Sequence, residues 1–238
     1  MTSLPLLVLA GGFGTRLRSA VSTVPKPLAP VMGQPYLTYL LESWRSQGVT
    51  SFTFLLQHQA DKIIDFLAEA QKSVILAECA VRTLVEPQPL GTGGALAYAV
   101  RELAMMGSFL VANADTWLGG GIKQLSAAPA PALAVIGVPN PERYGHVRIE
   151  SNKISAFEEK QSSSGPGLIN AGLYHLDADM FREWDGRPFS LERELFPKWV
   201  RAGQLGAVHL ETDFIDIGIP EDYFRFCRWI ESKKVGVL

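Results

Sequence analysis

Between Gly11 and Lys26 the sequence gathers the residue types that hold phosphate. Gly11-Gly12-Phe13-Gly14-Thr15-Arg16-Leu17 follows the apolar run Leu6-Leu7-Val8-Leu9-Ala10, and Pro25-Lys26-Pro27-Leu28 comes shortly after. Glycines let backbone N–H groups approach phosphate oxygens and adopt positive φ, while the Arg16 guanidinium and the Lys26 ammonium supply counter-charge. Such a loop suits a polyphosphate. Two better-known phosphate loops fail on spacing. A Walker loop needs Lys-Ser/Thr after its last glycine, and here Gly14 is followed by Thr15-Arg16. The dinucleotide fingerprint Gly-x-Gly-x-x-Gly, counted from Gly12, meets Leu17 where its third glycine belongs. Taken alone, the glycines also suit a tight strand-to-helix turn.

The elements that must position this loop alternate. Leu6 to Ala10, Phe52 to Leu56, Arg82 to Val85 and Phe109 to Ala112 read as strands; Tyr36 to Gln47, Ala60 to Ala70 and Ala95 to Met105 read as helices. That order implies a parallel sheet covered by helices on both faces, with ligands at the carboxyl ends of its strands. Gly11 to Arg16, Asp115 and the loop Glu86 to Gly94 all fall at such ends, so they are expected to converge on one cleft. The second half changes character. After a buried strand at Ala132 to Val138, residues 145–150 and 153–158 alternate about Ser151-Asn152 as a hairpin does. Leu168 to Leu176 is a further strand, and Asp177 to Trp184 and Leu191 to Val200 read as short helices, the latter capped by Ser190. A final helix opens at Pro220-Glu221-Asp222, and the Ser/Gly/Pro run Ser162 to Gly167 reads as mobile. The expectation is one domain, with residues 1–130 mainly binding nucleotide and 131–238 mainly binding sugar.

With 238 residues, 47% of them hydrophobic, the chain can bury a full core without metal or disulfide support. A formal net charge of −2 and no long basic run argue against macromolecular nucleic acid as a partner. The two cysteines, Cys79 and Cys227, are far apart and read as free thiols of a reducing compartment. The N-terminal apolar run lacks the flank and length of a signal peptide, and no stretch reaches membrane-span length, so a cytoplasmic protein is expected. Phe224, Phe226 and Trp229 offer either a homo-oligomer interface or, at helical spacing, core contacts.

Gly-Gly-x-Gly-Thr-Arg-Leu with a later Pro-Lys-Pro resembles the signature of the sugar-1-phosphate nucleotidyltransferases. The resemblance implies a Rossmann-like α/β fold: a mainly parallel sheet flanked by helices, with an antiparallel sugar-binding portion. It implies transfer of a nucleotidyl group from a nucleoside triphosphate to a sugar 1-phosphate. In that reading Ala10, Gly11, Gly12, Gly14, Thr15, Arg16 and Lys26 bind the nucleotide, and Glu86, Gly91 and Thr92, which also bind it, lie in a base-recognition loop. Tyr144, Gly145, Glu159, Lys160, Asn170 and Gly172 face the sugar phosphate, and Arg16, Lys26, Asp115 and Lys160 carry the catalysis. Asp115 and Asp216, which alone read as turn or cap residues, become ligands of Mg2+. Relatives usually carry glycine where this chain has Ala114, which bears on the approach to ribose or metal.

Pro89 to Gly94, Ile169 to Gly172, Phe189 to Glu192 and Phe214 to Tyr223 are most similar to the D-glycero-D-manno-heptose 1-phosphate guanylyltransferases, so GTP is the favoured triphosphate. Mannose-1-phosphate guanylyltransferases, N-acetylmuramate-1-phosphate uridylyltransferases and glucose-1-phosphate thymidylyltransferases share these features in part. A catalytically silent nucleotide-sugar sensor is the alternative from another class. The short stretch after Asp216 leaves no room for the acyltransferase domain of some relatives, so a monofunctional enzyme is expected.

Overall fold

The structure, a computed structural model, describes residues 4–144, 146–158 and 165–235. Strand β1 (Leu6–Leu9) is apolar throughout and lies between two parallel neighbours, as a strand buried on both faces must. Chain order then runs through a small hairpin, β2 (Pro30–Val31) and β3 (Gln34–Pro35), helix α1 (Tyr36–Ser46), β4 (Ser51–Leu56), α2 (Ala60–Gln71), β5 (Ala80–Val85), α3 (Gly91–Glu102) and β6 (Ser108–Asn113). Next come β7 (Thr116–Leu118), α4 (Ile122–Ala127), β8 (Ala132–Val138), β9 (His146–Glu150), β10 (Lys153–Glu158) and β11 (Gly167–Asp177). The last elements are α5 (Phe196–Arg201), β12 (Gly206–Leu210), β13 (Phe214–Asp216) and α6 (Pro220–Val235).

Among the described residues, nine strands form one sheet in the order β5-β4-β1-β6-β11-β8-β12-β10-β9. The first four are parallel, β11 is antiparallel to both β6 and β8, and the β9–β10 hairpin closes the far edge. The alternation of β1 sends Leu6 and Val8 into a core with α1, α2, α4 and α6. Leu7 points to the other face, where α3, Phe181, Leu191 and Phe196 cover the sheet.

The helix expected at Leu191 to Val200 is two pieces. A wide π turn at Leu191–Leu195 precedes α5, whose second residue, Pro197, has no N–H to donate to the turn before it. Ser190 caps the turn, accepting from the Arg193 amide at 3.2 Å. The stretch Asp177 to Trp184 forms only a single 3-10 turn, Ala178–Phe181. Helix α3 begins at Gly91, earlier than hydrophobic periodicity indicates, because its first turn is made of glycines. Phe226 is fully buried edge-on to Tyr36 and Trp229 packs on Trp117, whereas Phe224 is exposed. Cys79 and Cys227 are free thiols. Among the described residues no helix is long and apolar enough to cross a membrane.

Candidate active site

Hydrogen bonding continues one residue past the ends of the central strands. The Ala10 amide donates to the Leu55 carbonyl at 3.0 Å, Ala114 to Leu9 at 3.0 Å and Glu86 to Leu56 at 2.8 Å. The loops after β1, β4, β5 and β6 therefore leave the sheet side by side. Between them lies a cleft of about 330 Å³, lined by Gly11, Gly12, Gln57, Glu86, Thr92 and Asp115 among others. Gly11 is the tight point, since a Cβ there would lie 3.0 Å from Glu86 Oε1 and 3.1 Å from Gln57 Cβ. Gly14, at φ +59°, turns the chain into the 3-10 turn Thr15–Leu17 while passing the Lys26 side chain. Thr15 and Arg16 are exposed at the cleft's phosphate-loop edge.

The two aspartates, 101 positions apart in sequence, are brought together by a two-stranded ribbon. Strands β7 and β13 pair antiparallel with Asp216 opposite Thr116, and the Ile217 amide donates to the Asp115 carbonyl at 2.9 Å. The Lys26 ammonium donates to Asp115 Oδ2 at 2.7 Å. Asp216 Oδ1 accepts from the Gly218 amide at 2.6 Å. Burial, then the charge of Asp115, pushes the Asp216 carboxyl up to about 6, against the opposing pull of Lys26, the Gly218 amide and Arg16. Two half-buried carboxylates with too little counter-charge suit a hard divalent cation that also takes phosphate oxygens. Among the described residues no third histidine, cysteine or acid joins them. Behind the pair, the Tyr36 hydroxyl is buried without a partner among the described residues, and its phenol is pushed up by burial and by both carboxylates.

On the opposite wall Glu86 Oε2 accepts from the Leu90 amide at 2.9 Å, and burial raises its carboxyl above the ordinary value. The glycines of the first turn of α3 admit the backbone at Phe189, whose carbonyl accepts from the amides of Gly93 at 3.0 Å and Gly94 at 3.2 Å. The Thr92 hydroxyl donates to Glu192 Oε2 at 2.7 Å and accepts from the Leu191 amide at 3.0 Å, so it belongs to the helix-to-loop junction and has no proton left to give a ligand. Gly91 takes φ +74°, and a Cβ there would lie 2.5 Å from the Phe189 carbonyl oxygen. Gly91→Ala is expected to destabilise the protein by about 1–3 kcal/mol, read from urea unfolding, because backbone strain and a backbone clash coincide.

On β11 the Asn170 amide bonds within its own strand: its Oδ1 accepts from the Gly172 amide and its Nδ2 donates to the Tyr174 hydroxyl, both at 3.0 Å. These bonds hold an irregularity in β11, where Gly172, at φ +71°, approaches Asn113 and Thr116 too closely for any side chain. Tyr144 packs edge-on to Phe214, 5.6 Å between ring centroids, two residues from Asp216 on β13. It lines a second cavity of about 410 Å³, where Arg143 is paired with Asp222. Gly145, Glu159 and Lys160 lie outside the described residues.

The profile of the nucleotidyl transferase family matches residues 6–233. The chain belongs to that family. A D-glycero-alpha-D-manno-heptose 1-phosphate guanylyltransferase from Campylobacter jejuni is 30% identical over 223 residues, covering 92% of this chain and 97% of the relative. A mannose-1-phosphate guanyltransferase from Emericella nidulans is 34% identical over 236 residues, and there the chain spans 64% of the relative's length. The crystal structure of HddC from Yersinia pseudotuberculosis complexed with GMP-PN superposes with a TM-score of 0.82 at 33% identity, covering 95% of this chain and 99% of that one. These matches bear out the nucleotide-diphospho-sugar transferase fold.

For this nucleotidyl transferase, Gly11, Gly12, Glu86, Gly91, Thr92 and Asp115 share one cleft, with Lys26 bonded to Asp115 and Asp216 held alongside. Ala10 is buried beneath the loop. Sequence reasoning missed Gln57 and Asn113, which line the same cleft, and Glu192, which holds Thr92. A signal existed for Gln57. It follows a buried strand just as Ala10 does, so the parallel register sets it beside Gly11.

Proposed function

We propose that the chain transfers the guanylyl group of GTP to a sugar 1-phosphate, D-glycero-D-manno-heptose 1-phosphate, with release of pyrophosphate. The observation that carries this reading is the Lys26–Asp115 pair beside the half-buried Asp216, at the mouth of a nucleotide-sized cleft. A phosphate oxygen of the sugar phosphate attacks the α-phosphorus in line; the new P–O bond forms as the bond to the β-phosphate bridging oxygen breaks. The acceptor is already an anion near neutral pH, so no protein base is needed. The amides of Gly11 to Gly14 and the Arg16 guanidinium hold the β- and γ-phosphates, and Lys26 meets the α-phosphate. Glu159 and Lys160 are assigned by resemblance to a sugar hydroxyl and the sugar phosphate. The Asn170 amide, which keeps one N–H and one lone pair beyond its bonds within the strand, and the backbone around Gly172 are assigned to the sugar. Asp115 and Asp216 would hold Mg2+, which when bound offsets charge at the α-phosphate.

Heptose is favoured because Pro89 to Gly94, Ile169 to Gly172 and Phe214 to Tyr223 resemble the heptose enzymes and a heptose 1-phosphate guanylyltransferase is 30% identical to this chain. Mannose 1-phosphate is the second reading, on the strength of the 34% identity. Pyrophosphate release with Mg2+, across GTP, UTP, dTTP, CTP and ATP and the heptose, mannose, glucose and N-acetylmuramate 1-phosphates, is expected to peak at GTP with heptose phosphate. Turnover only with mannose phosphate moves the assignment to the second reading. Nucleotide binding without pyrophosphate release from any pair points to a sensor.

A further inference from the structure

The cleft holds one buried polar atom that none of the roles above uses. Gln57, at the carboxyl end of β4, lines the cleft, and its Oε1 is buried with no hydrogen-bond partner among the described residues. A buried amide oxygen left unpaired forfeits the hydrogen bonds it made in water, so a donor arriving with a ligand would be bound strongly there. Its neighbour is Glu86: Gly11 has no room for a Cβ because Glu86 Oε1 and Gln57 Cβ both crowd the same point, at 3.0 and 3.1 Å. Of the two Glu86 oxygens, Oε2 is taken up by the Leu90 amide, which leaves Oε1 for a ligand. The side chains of Gln57, just after β4, and Glu86, in the loop after β5, thus start from the same wall of the cleft next to Gly11, and each carries an acceptor without a partner among the described residues.

Two acceptors carried on one wall suit a ligand edge with two neighbouring donors. Guanine carries such a pair on one edge, the ring N1–H and the 2-amino group. Adenine has an acceptor at N1 and only hydrogen at C2; uracil and thymine have a single ring N–H between two carbonyls, each of which would face an acceptor. We propose that Gln57 is a base-reading residue, its Oε1 accepting from the guanine 2-amino group while Glu86 Oε1 accepts from N1–H. This rests on the guanylyl reading above and deepens it, making selectivity for guanine a property of two chain segments. A site built to accept from a substrate N–H discriminates sharply against an analogue lacking it, because its own acceptor is then left unpaired.

Inosine triphosphate isolates the proposal, since it keeps the N1–H and lacks only the 2-amino group. With Mg2+ and D-glycero-D-manno-heptose 1-phosphate, kcat/KM is to be compared for GTP and inosine triphosphate in the wild type and in Gln57→Met, which keeps side-chain length and removes the acceptor. Calorimetric titration of both nucleotides without sugar phosphate gives the same ratio independently of turnover. The expected result is a wild-type preference for GTP of about 10-fold or more, collapsing towards unity in Gln57→Met through loss of affinity for GTP. A wild type that does not discriminate between the two overturns the proposal even if the variant fails to fold. A GTP preference that persists in Gln57→Met overturns it while leaving the guanylyl reading intact. Selection of a pyrimidine triphosphate over both purines removes the guanylyl reading itself, and this proposal with it.

Discussion

Lys26→Ala lowers kcat for pyrophosphate release by about 1,000-fold, with a much smaller change in the affinity for GTP. The direction follows from where the ammonium sits. Its Nζ is 2.7 Å from Asp115 Oδ2, its side chain is only 12% exposed, and the Pro25 and Pro27 on either side restrict the backbone that carries it. An ammonium held against the acid beside the α-phosphate acts on charge that develops during transfer, whereas Gly11 to Gly14 and Arg16 are assigned to phosphates already charged in the ground state. The fold is expected to survive, because the ion pair lies at the rim of the cleft and the 3-10 turn Lys26–Leu28 keeps its backbone bonds from Leu28 to Pro25 and from Ala29 to Lys26. Circular dichroism with single-turnover kinetics checks both halves. A loss confined to KM would move Lys26 from the transition state to ground-state binding.

Asp216→Asn is expected to raise stability and abolish most activity. The folded-state carboxyl is pushed up to about 6 from an ordinary 3.8, so the native protein takes up a proton that the unfolded chain does not hold between those values. Wild-type stability contributed by this group therefore falls as pH rises through that window, and above pH 6 the half-buried negative charge beside Asp115 remains as a destabilising contribution. An asparagine removes the charge and can still accept from the Gly218 amide. With metal chelated at pH 8, the variant should gain about 1–2 kcal/mol, on the order of 2–6 °C in Tm. Adding Mg2+ should raise the wild-type Tm and leave Asp216→Asn almost unmoved. A variant no more stable than the wild type in chelator would mean that the neighbouring cations already compensate the acid. A strong Mg2+ response retained in the variant would remove Asp216 from the proposed ligand set. The expected pairing of lower activity with higher stability reflects a site organised for a ligand rather than for the free fold.

Local patterns in the chain disclose most of the elements that face the cleft. The apolar run before Gly11 can only be a central strand, and the helix-strand alternation from Tyr36 to Ala112 dictates a parallel sheet whose loops share one end. The ribbon of β7 and β13 was not legible, because each strand has three residues and neither has a pattern long enough to register. Yet that ribbon juxtaposes Asp115 with Asp216. Thr92 and Asn170 were legible as residues of the right motifs but not in what their side chains do; one bonds to Glu192, 100 positions away, and the other to atoms of its own strand. The glycine at 93 likewise makes sense only once Phe189 is seen lying across the start of α3.

What the sequence determined by itself, then, was the phosphate chemistry and the layer architecture, since glycine freedom, charge and hydrophobic period are carried by neighbouring residues. Pairing across distance came from the folded chain instead: Lys26 with Asp115, Asp115 with Asp216, Thr92 with Glu192, and Gln57 with Glu86 against Gly11. Each of these depends on strand register and on how closely two backbones approach. Both are set by packing of the whole sheet, which no local stretch of the chain encodes.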